Sequence, residues 1–280
     1  MTDSAVISVS SDRSTQPRRN AGAGFWPSAF SVAGRSVRRF ARTPQLIVFT
    51  TVQSAAFLLI FRYVFGGAIN TGGQEYVRFF VPGFVTTAIL FAGTGAAVSM
   101  AEDQEHGFID RLRSLPIPRA AVLVGRSIAD TALLIWALAV ATAFGFATGF
   151  RLGGSVTDAL AAFGLCIVFG FAFEWIFIVM GLVGGTAQAT QGLTMLVFPL
   201  TFVSSAFVPV QSMPAGLEGF AHYQPITPMV NAVRSLSGGP AAQAFLEHST
   251  SYYVGVSLLW AAGIVVVFGT LSVMRFSKRS

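Results

Sequence analysis

Apolar residues in this chain come in long blocks, without the alternation of a half-buried strand or the three-to-four spacing of a soluble amphipathic helix. Six blocks are long enough for a helix to cross about 30 Å of hydrocarbon, which takes roughly 20 residues. They are Leu46–Phe65, Phe79–Met100, Ala129–Phe150, Asp158–Val183, Gly192–Val210 and Tyr252–Met274. The pattern predicts an all-α polytopic membrane protein with six transmembrane helices. Small residues recur inside the blocks, as in Gly145…Gly149 and Gly181…Gly185, at a spacing that suits close helix packing. Pro199 predicts a kink in the fifth block.

The segments between blocks carry the polar information. Residues 1–24 are polar, with no large apolar residue after Val9, and read as a disordered tail. Over 25–43, Phe25, Trp26, Phe30, Val37 and Phe40 are interleaved with Arg35, Arg38, Arg39 and Arg42, the mark of a basic amphipathic helix lying on an anionic membrane face. The loop over 101–126 holds eight charged residues: Glu102, Asp103, Glu105, Asp110, Arg111, Arg113, Arg119 and Arg126. Phe108, Leu112 and Leu115 fall at i, i+4 and i+7, so a helix there shows a narrow apolar stripe until Pro116 and Pro118 stop it. Such a helix either docks in the groove of a soluble partner or lies solvated at the lipid interface.

The connection over 211–251 is too apolar for a free loop. Met213, Leu217 and Phe220 make one helical stripe, and Met229, Val233 and Leu236 another, with a Gln224–Pro228 turn between them. Two short helices dipping back to cap the bundle are predicted, either as a packed lid or as a gate.

Composition agrees with the blocks. Of 280 residues 53% are hydrophobic and 11% charged, where a soluble domain carries about a quarter charged. The net charge of +6 comes mostly from arginines beside apolar runs, so nucleic acid is not the expected partner. Cys166 is the only cysteine, which rules out an intrachain disulfide. No secretory signal is recognisable, since nothing apolar directly follows the Arg18–Arg19 pair. With six spans, the arginines of the tail, the 101–126 loop and the C-terminus share one side, facing only Arg78, Arg151 and Arg234 on the other. The positive-inside rule then puts both termini in the cytoplasm of a multi-pass cell-membrane protein.

Candidate chemistry is sparse. His106, His222 and His248 are far apart with no metal-ligand spacing, and no Gly-x-Ser-x-Gly elbow occurs. Asp130 and Asp158 sit at expected span ends. The only lysine is Lys278, so no P-loop exists and any ATP-driven role needs a separate ATPase chain. Glu174 is the one acidic residue well inside a block, where a charge costs about 2.5–3.5 kcal/mol on insertion scales. It must face the bundle, as an interhelical hydrogen bond or as a proton or substrate contact. Arg62 snorkels at the outer end of the first block, at a depth that does not match Glu174.

Two stretches resemble a known family. Gly107–Ile117, continuing through Arg119, Gly125–Arg126 and Ala129–Asp130, is similar to the cytoplasmic-loop signature of type-2 ABC exporter permeases, especially the daunorubicin-resistance type. Phe198–Leu200, Ser205–Pro209, Met213–Pro214 and Pro225–Pro228 are similar to that family's fifth-span-and-cap signature. Gln224 departs from the pattern, which usually has Asn there.

The resemblance implies a half-transporter over 44–280, with 25–43 as its elbow helix. A second permease, identical or paralogous, and two ATPase subunits would complete it; ATP and Mg would be bound by the ATPases, with no cofactor in this chain. Glu105, Gly107, Phe108, Asp110, Arg111, Leu112, Arg113, Leu115 and Pro116 would couple to the ATPase, and Met213, Pro214, Gln224 and Pro225 would shape the exterior cap. The cargo would be a drug-like compound or a lipid. A proton-coupled carrier using Glu174, or a passive scaffold, are the alternatives.

Overall fold

The computed structural model describes residues 34, 44–66, 75–107 and 119–278. The tail, the amphipathic segment (Gly34 apart) and Phe108–Pro118 lie outside the described residues, and with them the expectations for Phe108, Asp110, Arg111, Leu112, Arg113, Leu115 and Pro116. Every regular element described is helical. A chain this poor in polar side chains has no water to solvate its backbone amides in lipid, so each segment satisfies them internally.

The order is α1 (Pro44–Ile60), running into a π turn (Phe61–Phe65), then α2 (Tyr76–Glu105), α3 (Arg119–Ala147) and α4 (Val156–Gly184). Two short helices follow, α5 (Ala187–Thr194) and α6 (Val197–Phe202), then a 3-10 turn (Val210–Ser212), α7 (Ala215–Tyr223), α8 (Ile226–Gln243) and α9 (Thr250–Lys278). Four helices are long and apolar enough to cross a membrane: α2, α3 from Leu123, α4, and α9 to Phe276. Burial separates them. The most apolar windows of α2 and α4 are each 61% buried, that of α3 33% and that of α9 17%. Thus α2 and α4 form the centre, and α9 lays most of its surface outward.

The remaining two expected spans differ from the uniform rods the sequence suggests. Leu46–Phe65 becomes α1 and its π turn, with Thr51–Phe65 as a shorter apolar helix. Gly192–Val210 is not one helix. Pro199 lacks the N–H that would reach the Met195 carbonyl, and the Phe198 N–H takes it instead at 3.2 Å, so the chain breaks between α5 and α6.

The two glycine pairs divide their work. Gly145 faces Val81, and Gly181 meets the Ala97 carbonyl and Met100, so a side chain there would collide with α2. Gly149 (φ 98°) and Gly185 (φ 73°) instead end α3 and α4 in the left-handed region.

The ends of the bundle are distinct. At one end α2 finishes, α3 begins, and Glu105 accepts a hydrogen bond from the Ala187 N–H at the start of α5 (3.3 Å). A small apolar cluster lies there, of Met100, Leu123, Trp175, Ile178, Leu182 and Phe276, and it draws in the basic end of α9. At the other end the α3–α4 turn donates from Gly153 to the Ser237 carbonyl of α8 (2.9 Å). An aromatic stack underlies α8, with Phe61 5.0 Å from Phe80 and 5.1 Å from Phe207 between ring centroids. The adjoining ends of α2 and α3 and the segment over 211–251 therefore occupy opposite ends.

Candidate functional site

At the loop end, charges that are distant in sequence converge. The Arg126 guanidinium donates from Nε to Asp130 Oδ2 at 3.0 Å, one turn along α3. Its Nη1 pairs with Asp103 on α2. The carboxyls of Asp130 and of Glu174 on α4 are neighbours, and a hydrogen bond between them requires that one of the two holds the proton. Asp103, Arg126, Asp130 and Glu174 thus form a continuous polar chain through three helices, with Glu174 3% and Asp130 7% exposed.

Asp130 departs from its expected place at a span end. Because α3 starts at Arg119 and Leu123–Ala147 is the apolar part, Asp130 lies inside the candidate span, and Arg126 one turn before it supplies the countercharge. The i, i+4 spacing of Arg126 and Asp130 was the available signal. Nothing local linked them to Glu174.

Polar satisfaction around this chain is incomplete. Six buried side-chain atoms lack a partner among the described residues, and four belong to Gln104, Ser127, Glu174 and Trp175, which are members of the chain or adjacent to one in sequence. Glu105 and Gly107 are the coupling positions that are described. Glu105 is exposed apart from its bond to Ala187, and Gly107 turns with φ 68° just before Phe108.

The other end carries a second network. Arg234, 2% exposed on α8, donates to the Phe79 carbonyl (3.2 and 3.1 Å), the Ser205 carbonyl (2.7 Å), Asn231 Oδ1 (2.7 Å) and Ser205 Oγ (3.5 Å). All five guanidinium N–H groups are used, and the Phe79 ring lies 3.9 Å from its carbon. No carboxylate pairs with it among the described residues. The segment over 203–209 is held in place by Ser205 Oγ on Asn231 (2.8 Å) and the Ser205 N–H on Thr227 Oγ1 (3.2 Å).

Gln224, the departure from the family pattern, is part of this network. Its Nε2 donates to the Val203 carbonyl (3.2 Å) and Thr227 (3.3 Å), and its Oε1 accepts from the Ile226 N–H (3.1 Å). Pro225 opens α8 and Pro214 opens α7, with Met213 half-buried just before it. The apolar stripe of α8 is buried at Met229 and Val233, whereas Leu217 and Phe220 of α7 stay exposed. A cavity of about 410 Å³ opens here, lined by Phe79, Ser205, His222, Asn231, Arg234 and Tyr253 among others. Sequence reasoning missed Arg234 and its partners, although Thr227, Asn231 and Arg234 fall at i, i+4 and i+7 on one face of α8.

Four apolar helices of spanning length among the described residues define an integral membrane protein. The chain belongs to the ABC-2 type transporter family, whose profile matches residues 28–237. It is 30% identical over 247 residues to the daunorubicin resistance ABC transporter permease protein DrrB1 of Streptomyces coeruleorubidus, covering 88% of this chain and 84% of that one. It is 24% identical over 251 residues (89% and 88%) to a probable doxorubicin resistance ABC transporter permease protein, DrrC, of Mycobacterium tuberculosis. The inner membrane transport permease YadH of Escherichia coli K12 is 23% identical over 221 residues, covering 75% of this chain and 82% of YadH.

Proposed function

We propose that this chain is the membrane-embedded subunit of an ATP-driven exporter, moving a hydrophobic or amphiphilic compound, drug-like or lipid, out of the cytoplasm or inner leaflet. The observation that carries this reading is 30% identity, along 88% of the chain, to a permease named for daunorubicin resistance. In this reading α1 with its π turn and the broken α5–α6 pair join α2, α3, α4 and α9 as six spans, both termini are cytoplasmic, and 211–251 forms the exterior cap. Two permeases pair with two ATPase subunits, which bind the ATP and Mg.

The mechanism follows from the loop's attachment. The helix expected around 107–115 docks in a groove of the ATPase, with Phe108, Leu112 and Leu115 as anchors and Arg111 and Arg113 at the rim. ATP closes the ATPase dimer, the docked helices shift as rigid bodies, and the bundle moves toward an outward-releasing state. Coupling is reciprocal, so a transported compound changes ATP turnover.

The test is export of daunorubicin, an amphiphilic cation, from vesicles holding the chain and the ATPase that co-purifies with it. ATP-dependent export that Leu112→Asp abolishes, with the protein still inserted, supports the proposal. Export driven by a pH gradient without nucleotide, and lost in Glu174→Gln, overturns it.

A further inference from the structure

Asp103 and Arg126 flank the α2–α3 loop, one on each side, and pair directly across it. Relative movement of the end of α2 and the start of α3 therefore loads this ion pair. From there the contacts run through Asp130 to Glu174, within the apolar stretch of α4. The surrounding packing is of another kind: Met100, Leu123, Ile178, Leu182 and Phe276 make apolar contacts, which have no direction and tolerate sliding. A buried ion pair does not slide, because separating it leaves an uncompensated charge in the interior.

We propose that Asp103, Arg126, Asp130 and Glu174 act as one polar strut that transmits displacement of the α2–α3 loop into α4, and so serve as positioning residues for transport. The inference rests on the exporter reading above. Glu174 Oε1, on the strut, and Ser127 Oγ, beside Arg126 in sequence, are buried without a hydrogen-bond partner among the described residues, so the strut is not fully fastened in this arrangement. Stability alone does not account for the strut, because apolar side chains of similar volume would serve as well or better.

The test uses the complex of the full chain with its co-purified ATPase in liposomes, reading daunorubicin exported per ATP hydrolysed beside the thermal midpoint of the permease. Asp103→Asn and Glu174→Leu each lower that ratio about five- to a hundredfold. Because Asp103 and Glu174 connect through Arg126 and Asp130, the double variant is no worse than the worse single. Effects of the two that multiply, or a ratio equal to wild type in either single, overturn the strut.

A fourfold variant, Asp103→Leu with Arg126→Met, Asp130→Leu and Glu174→Leu, removes every charge at once. It keeps a thermal midpoint at or above wild type and exports nothing. Normal export by this folded variant, or unfolding of every variant, overturns the proposal and leaves the four residues as packing. If the wild-type complex itself fails to export with ATP, it is the exporter reading that falls.

Discussion

Each end of this bundle buries an arginine, and the two are solved differently. Arg234 at the cap end spends all five donors on neutral oxygens of three chain segments: the start of α2, the turn over 203–209, and its own helix. Arg126 at the loop end pairs with two carboxylates, beside a third carboxyl and several unpartnered polar atoms. A guanidinium filled by backbone carbonyls and neutral side-chain oxygens fixes a single geometry, because five directional bonds must be met together. A cation between carboxylates is held by charge as well as by direction, so it keeps its partners together when the helices move. The cap end is built as a fastening and the loop end as a joint.

The largest expected effect is a difference between two conservative substitutions. Arg234→Lys has three donors for five positions and leaves buried carbonyls unsatisfied, so it destabilises by about 2–4 kcal/mol. Arg126→Lys still offers charge to both aspartates and gives up only part of the buried hydrogen bonding, so it loses less, about 1–2 kcal/mol. Thermal unfolding in detergent compares them, and equal losses would break the distinction between fastening and joint.

A smaller effect is expected at Gly83, where an added Cβ would meet the Ala206 backbone carbonyl, so the turn over 203–209 sits directly on α2. Gly83→Ala is expected to lose about 1–3 kcal/mol, whereas Gly95→Ala, with open space around it, is expected to be neutral or to gain up to about 1 kcal/mol. If both behave alike in the same unfolding assay, the close seating of the cap-end turn is wrong.

The smallest effect sharpens the cap end further. Gln224→Asn keeps the amide but shortens a side chain that reaches Val203, Thr227 and Ile226. About 0.5–1.5 kcal/mol should be lost. A stabilised variant would mean that the turn re-forms around the shorter amide.

Legibility followed locality. The blocks that became α2, α3, α4 and α9 stand out because apolar length is a property of contiguous residues. The α8 stripe of Met229 and Val233 was readable from its spacing and is buried. The matching stripe of α7 has the same spacing, yet Leu217 and Phe220 are exposed, since a period describes a helix face and not what it meets. Asp130 looked terminal because hydropathy begins late in α3, while the helix itself begins at Arg119.

By itself the sequence determined where the four helices of membrane-spanning length lie, that Pro199 disturbs the block over 192–210, and that arginines gather in the 101–126 loop and near the chain ends. These depend only on neighbours within a turn or two. Only the tertiary structure decided that Asp103, Arg126, Asp130 and Glu174 meet, and that Arg234 reaches Phe79 across 155 residues of chain. Such meetings depend on the depth and rotation of each helix against the others. Packing of the whole bundle sets those two quantities, and no single segment encodes them.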